Sequence, residues 1–143
     1  MIVLDTNVVS ETMRPAPSPA VIAWLNGQDI QTLYLTAVSL AELRFGMARL
    51  DEGRSKVDLT ERLDRMLDQV FHGRILSFTA ATAQAFADRM AVARRNGRAV
   101  GFQDGMIAAS VAASGFSIAT RDTSPFEAMG LQVVNPWGGA AGS

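Results

Sequence analysis

Five short stretches rich in apolar and β-branched residues punctuate the chain: M-I-V-L-D at 1–5, T-L-Y-L-T at 32–36, R-I-L-S-F at 74–78, F-S-I-A at 116–119 and L-Q-V-V at 131–134. Runs this brief suit strands better than helices, and their near-continuous apolar character suits strands covered on both faces. The segments between them repeat their apolar residues at helical spacing. Strands that alternate with helices are joined by crossovers, which place the helices on both faces of a mainly parallel sheet. The expectation is a single three-layer α/β/α domain with a mainly parallel five-stranded sheet. At 143 residues the chain has single-domain size, with no internal repeat and no dividing linker. The fold is predicted to occupy 1–137, and the G-G-A-A-G-S end, 138–143, to form a flexible tail.

Punctuation sets the helices. A short helix is predicted over about 6–13, and R-P-A-P-S-P at 14–19 must break it, because proline is not tolerated in a helix interior. Ser18 can cap a second helix, with Pro19 in its first turn. Further helices are expected from Ser39 to about Leu50, near 57–71, near 80–96 up to Asn96-Gly97, and from Gln103 to Ser114 before Gly115. No stretch approaches the roughly 18–20 apolar residues of a membrane span. Met1 runs directly into fold sequence, so a cytoplasmic protein without a membrane partner is expected. The absence of cysteine excludes disulfides and thiolate metal sites, and His72, as the single histidine, excludes a multi-histidine zinc site within one chain.

Four acids stand where a parallel sheet places its ligands, outside the carboxyl ends of the strands. Asp5 ends the first strand, and Asp122, in A-T-R-D, follows the fourth. Glu42 is predicted in the first turn of the helix after the second strand, and Asp104 opens the helix leading into the fourth. Each has a simpler explanation. Asp5 can cap the first helix, and Ser39-Leu-Ala-Glu42 has capping-box spacing. Asp104 suits the positive end of a helix dipole, and Asp122 suits a turn before T-S-P. The coincidence of all four at one sheet edge is the stronger signal, provided strands one, two and four are neighbours.

Carboxylates about 4 Å apart repel by about 4 kcal/mol at an effective dielectric of about 20. A cluster without lysine or histidine therefore calls for protons or a cation, and all-oxygen donors favour Mg²⁺ or Mn²⁺ over zinc. An ion in such a site activates water against a phosphodiester and stabilises the charge that develops on phosphorus and the leaving oxygen. The formal net charge of −1 argues against a generally basic surface for nucleic acid. Yet twelve of the thirteen basic residues are arginines, which suit bidentate phosphate contact, and setting four clustered acids aside leaves the remainder net basic.

The pieces L-D-T-N-V-V-S-E at 4–11, A-E-L-R-F-G at 41–46, Q-D-G-M-I-A-A at 103–109, A-T-R-D-T-S-P-F at 119–126 and V-N-P-W at 134–137 span nearly the whole chain. In this order they resemble the PIN-domain ribonucleases, and specifically the VapC-type toxins of bacterial type II toxin–antitoxin pairs in their FitB-like branch. The resemblance implies a PIN-like domain and an Mg²⁺- or Mn²⁺-dependent endoribonuclease whose catalytic acids fall on Asp5, Glu42, Asp104 and Asp122. Asp5 and Asp104 would be the principal metal ligands, joined by Asp122, with Glu42 positioning water or acting as general base. Many relatives carry Asn where Asp122 stands and an Asp three residues later, where this chain has Pro125. Thr6, Asn7 and Thr120 are candidates to orient the carboxylates. The same resemblance implies a homodimer, an RNA substrate and a cognate antitoxin that inhibits each active site and binds operator DNA with its other half. An antitoxin tail would lie in an apolar groove near the first helices, for which Val8, Val9, Met13, Ile22, Trp24 and Leu25 are candidates.

Arg94, Arg95 and Arg98 of R-R-N-G-R, and Arg121, are candidates for holding RNA phosphates. The first three are equally explained by a favourable helix C-terminus. Arg44 and His72 read as structural, and Trp137 as a packing anchor. A haloacid-dehalogenase-like phosphatase would need a second Asp two residues after Asp5 and a later lysine. Here Asn7 fills that place, and the single lysine, Lys56, is far from any strand end. The remaining alternative is a weakly catalytic or non-catalytic PIN-like subunit of a DNA-binding regulatory complex.

Overall fold

The computed structural model describes residues 1–138; the rest of the expected tail lies outside the described residues. Five strands, β1 (Ile2–Leu4), β2 (Leu33–Thr36), β3 (Ile75–Leu76), β4 (Ser117–Ala119) and β5 (Val133–Val134), form one sheet in the order β3-β2-β1-β4-β5. Every neighbouring pair is parallel. Each strand is shorter than its apolar run. The chain walks outward from β1 to β3, then crosses back to lay β4 on the other side of β1. That reversal opens a crevice beyond the carboxyl ends of β1 and β4. Register keeps these ends level, with Leu4 opposite Ala119.

Among the described residues seven α-helices cover the sheet: α1 (Thr6–Thr12), α2 (Pro19–Asn26), α3 (Ala37–Ala48), α4 (Arg54–Gln69), α5 (Ala80–Arg95), α6 (Phe102–Ser114) and α7 (Thr123–Ala128). Side-chain caps explain several starts: Asp5, Ser18, Thr36 and Thr79 each accept a hydrogen bond from an amide in the first turn that follows. Gly115 ends α6 in the left-handed conformation at φ 71°, which costs a glycine little. Four features depart from the sequence expectation. The third helix begins at Ala37 rather than Ser39, because Thr36 and not Ser39 is its cap. The fourth begins at Arg54, one turn early. The stretch after Asp122 is a helix rather than a turn, and a single 3₁₀ turn occupies Ile30–Thr32.

Alternation along β1 feeds two cores. Leu4 points into a cluster with Val8, Leu35, Leu43 and Leu63, under α1 to α4. Its neighbour Val3 points the other way, to Ile107, Val111, Ile118 and Phe126, under α5 to α7. Packing of α6 on α5 is tight at Gly105, where a methyl group would meet Met90 Sδ at 2.7 Å and Phe86 at 2.9 Å. This contact sits one residue beyond Asp104 and fixes how α6 enters the sheet edge. Among the described residues no helix is long and apolar enough to cross a membrane.

The six residues of α7 are too few to show periodicity, and Pro125 in its first turn disguised it. The helix is held by Phe126, whose side chain is wholly buried. Replacing it, Phe126→Ala, is expected to cost about 3–5 kcal/mol in urea denaturation. A loss below about 1 kcal/mol would show that α7 is not fastened to the core in this way.

Candidate active site

Asp5 leaves β1 and is almost wholly buried, at 5% exposure. Its Oδ1 accepts the Thr6 amide at 2.8 Å, so it does cap α1. Its Oδ2 accepts the Thr120 hydroxyl, also at 2.8 Å, from the end of β4. Thr120 Oγ1 in turn accepts from Asn7 Nδ2 at 3.2 Å and from the Asp122 amide at 3.1 Å, which completes its hydrogen-bonding capacity. Asn7 Oδ1 accepts the Arg121 amide at 3.4 Å. One buried hydroxyl thus ties the β1–α1 corner to the segment carrying Asp122.

Glu42 does not form the capping box that its spacing suggests. The Ser39 amide is bonded to Thr36 Oγ1 at 3.0 Å, which leaves Glu42 in the second turn of α3 and free to reach outward. Glu42 Oε1 accepts the Thr6 hydroxyl at 3.0 Å, and a further hydrogen bond comes from the Gln103 side chain. Asp104 stands in the first turn of α6. Asp122 precedes α7 and, among the described residues, makes no side-chain capping bond. All four carboxylates line one open cavity of about 470 Å³, together with Thr6, Asn7 and Arg121.

Other candidates lie elsewhere. Arg94 and Arg95 occupy the last turn of α5, and Arg98 donates to the Ser124 carbonyl at 3.2 Å. Arg94 and Arg98 line a separate cleft between α5 and the start of α6, and none of the three lines the acid cavity. Val8 and Val9 are fully buried core residues and cannot line a groove, and Trp24 and Leu25 pack against that same core. Of the proposed groove residues, Met13 borders a cleft, about 650 Å³ in volume, shared with Met47, Leu59, Arg62 and Arg65. Arg44 is paired with Asp64 at 2.8 Å, in keeping with a structural role.

Several lining residues had not been singled out in the sequence. Glu11, 6% exposed, accepts the Ser18 amide at 2.8 Å and pairs with Arg14 at 3.4 Å. Ser10 and Arg14 also border the cavity. Their signal was present, since Asn7, Ser10, Glu11 and Arg14 are spaced i, i+3, i+4, i+7 and so mark a polar stripe on α1. Trp137 borders the cavity as well as packing against the core.

The cavity gathers five carboxylates against two guanidiniums, formally −3, with no lysine or histidine. Burial pushes the Asp5 carboxyl up to about 6; hydrogen bonds from Thr120 and Thr6 pull it back, and the charges of Asp104 and Glu42 push it further. Glu42 is raised chiefly by burial, against its bonds from Thr6 and Gln103, and Asp104 by burial and then by Asp122. These shifts mark a site that is short of positive charge. Among the described residues no three acids are grouped tightly enough to cage an ion. That arrangement fits Mg²⁺, which is commonly held through one or two carboxylates, its remaining positions taken by water and substrate phosphate. Asp5 spends two of its lone pairs on hydrogen bonds and keeps others available.

A family model described as the PIN domain matches residues 2–130. The chain belongs to the PIN-domain family. Within this family it is 48% identical over 137 residues to a VapC ribonuclease of Sinorhizobium fredii, covering 96% of this chain and 98% of that one. It is 42% identical over 137 residues to toxin FitB of Neisseria gonorrhoeae, covering 96% and 99%. The crystal structure of FitAcB from Neisseria gonorrhoeae superposes with a TM-score of 0.91 at 42% identity, covering 96% of this chain and 99% of that one. A structure of FitAB bound to a DNA fragment also gives 0.91, at 41% identity over 96% of both chains. The PIN-domain fold thus accounts for the parallel sheet and for its crevice beyond β1 and β4.

Because the folded-state carboxyl of Asp5 lies above its ordinary value of 3.8, its contribution to stability is full below about pH 4 and is lost as pH rises through about 6. Asp104 and Glu42 act with the same sign. At neutral pH the ionised Asp5 carries a penalty of roughly 3 kcal/mol. In the presence of chelator the thermal midpoint is expected to fall between about pH 4.5 and about pH 7. A midpoint that climbs across this window would contradict the electrostatic picture. Removing the shared hydroxyl with Thr120→Val should cost about 1–3 kcal/mol in denaturation, since it strands Asn7 Nδ2 and the Asp122 amide.

Proposed function

We propose that the protein is an Mg²⁺- or Mn²⁺-dependent endoribonuclease toxin restrained by a cognate antitoxin, with residues 1–137 as its functional unit. The observation that carries this reading is the convergence, from four separate segments, of Asp5, Glu42, Asp104 and Asp122 on one open cavity that no lysine or histidine neutralises. The name of the Sinorhizobium fredii relative, a VapC ribonuclease, supports the reaction class, and that of toxin FitB supports the biological role.

A divalent cation held by one or two of the candidate ligands Asp5, Asp104 and Asp122, the rest of its shell left to water and substrate phosphate, would supply Lewis-acid stabilisation of the phosphate and a lowered pKa for attacking water. The chain supplies the rest. Asp5 is oriented by Thr6 and Thr120, so its carboxylate meets a ligand without prior rearrangement. Glu42, steadied by Thr6 and Gln103 and raised by burial, is placed to take a proton from water as general base. The openness of the crevice allows a strand to pass across it and leaves room for a phosphodiester beside the acids.

Partners follow the same lines. FitAB is a two-component complex that has been seen on DNA, and by likeness this chain would work as a homodimer that meets operator DNA through its antitoxin in the cytoplasm. The cleft containing Met13, Met47 and Leu59 adjoins the acid cavity through Ser10 and Arg14, which border both. An apolar antitoxin segment seated there could extend a basic side chain to the acids.

Antitoxin-free protein incubated with total RNA and Mn²⁺ should make defined cuts. Asp5→Asn and Asp104→Asn should each slow cleavage by about a hundredfold or more, and chelator should abolish it. Asp64→Asn, on the exposed face of α4, should cut normally. Saturating Mg²⁺, at about 100 times its dissociation constant, should stabilise the wild type by about 2.7 kcal/mol near neutral pH and Asp104→Asn by much less. Undiminished cleavage by Asp5→Asn would refute the assignment. Absence of any cleavage alongside intact antitoxin and DNA binding would favour the regulatory alternative.

A further inference from the structure

Two arginines border the acid cavity, and they differ in their attachments. Arg14 is paired with Glu11. Arg121, although adjacent in sequence to Asp122, has no carboxylate within ion-pair distance among the described residues. Its guanidinium lies instead 5.1 Å from the centroid of the Trp137 ring. Electrostatics alone would draw an unpaired guanidinium into a pocket carrying several carboxylates. The ring offers a competing attraction of about 0.5–2 kcal/mol, which grows as water is excluded.

The ring is itself firmly placed. The Thr120 amide donates to the Val134 carbonyl at 2.9 Å, which joins the ends of β4 and β5. The Trp137 amide donates to Asn135 Oδ1 at 2.9 Å, which fixes the turn after β5. Trp137 also packs against the core cluster under α1 to α4. At the other end the Arg121 amide is held by Asn7. With the core beneath Trp137 and Arg121 above it, the ring is poorly available to a base. A guanidinium lying on a ring keeps its N–H donors, which point outward in its own plane, available to an acceptor of matching fork geometry such as phosphate.

The geometry points to Arg121, seated on Trp137, as a clamp for a backbone phosphate of single-stranded RNA beside the phosphate at the acids. Arg121 contacts the substrate, and Trp137 is a positioning residue that acts through it. This inference rests on the nuclease reading and extends it. The attraction is to backbone and not to bases, so it should be indifferent to sequence and sensitive to salt.

The test is binding of fluorescein-labelled single-stranded RNA to full-length Asp104→Asn protein with Mg²⁺ over a range of salt, with KM and kcat measured in the otherwise wild-type chain. Arg121→Ala should weaken binding about fivefold to tenfold at low salt and lower the slope of log affinity against log salt by about 0.7. In the active chain KM should rise by a similar factor while kcat changes less than about twofold. Trp137→Leu should weaken binding about threefold when Arg121 is present and not further when Arg121→Ala is already in place, and Trp137→Phe should recover most of that loss. Melting curves confirm that each variant is folded, and Arg121→Ala serves alone should Trp137→Leu unfold. If the parent binds RNA but Arg121→Ala leaves affinity, slope and KM unchanged, the clamp is wrong and the nuclease reading stands. An equal loss from Trp137→Leu in both backgrounds would make Trp137 a direct RNA contact and overturn the positioning role. If Asp104→Asn fails to bind RNA and the wild-type chain fails to cut it, the clamp and the nuclease reading are overturned together.

Discussion

A carboxylate buried at the switch point of a parallel sheet must be satisfied on both oxygens or expelled, and Asp5 is satisfied by groups from two distant parts of the chain. Thr6 serves one oxygen from the start of α1, and Thr120 serves the other from the end of β4. The second bond spans 115 positions of sequence and exists only because β4 lies beside β1. Thr120 passes the constraint on, since the same hydroxyl receives Asn7 and the Asp122 amide. The placement of Asp122 and of Arg121 beside it therefore follows from how Asp5 is held. Burial without charge compensation is costly to the fold.

The surroundings divide the work. Neutral donors, Thr6, Thr120 and Gln103, orient the acids without neutralising them. The cations at the rim are each held by another partner, Arg14 by Glu11 and Arg121 by the face of Trp137. An arginine allowed to collapse onto the acids would supply the missing positive charge and compete with any bound cation. Keeping the cations at the rim leaves the centre of the cavity anionic.

Much of the fold was legible because its signals are local. Apolar runs, proline breaks and caps are properties of a few neighbouring residues, and they placed the strands and most of the helices to within a turn. Where a second local signal competed, the reading slipped. Thr36 and Ser39 both look like caps, and the choice fell to Thr36 because its position at the end of β2 aims its hydroxyl at the Ser39 amide. The helix α7 escaped notice because six residues around a proline show no period, while the burial of Phe126 fastens it to the core. The apolar residues of α1 suited a groove or a core equally well, and the packing of α1 against the sheet put Val8 and Val9 inside.

The sequence by itself determined the layered α/β architecture and the acidic residues available at strand ends, because hydrophobic periodicity and residue chemistry need no partner to be read. It also placed Thr6 and Asn7 next to Asp5. Only the tertiary structure decided that Glu42 faces Thr6 and Gln103, that Glu11 lines the same cavity, that Arg94, Arg95 and Arg98 stand apart, and that Arg121 rests on Trp137. The physical reason is that a side chain's partner across a sheet is set by strand order and register. Those depend on how two whole cores pack against β1, and no short stretch of residues contains that information.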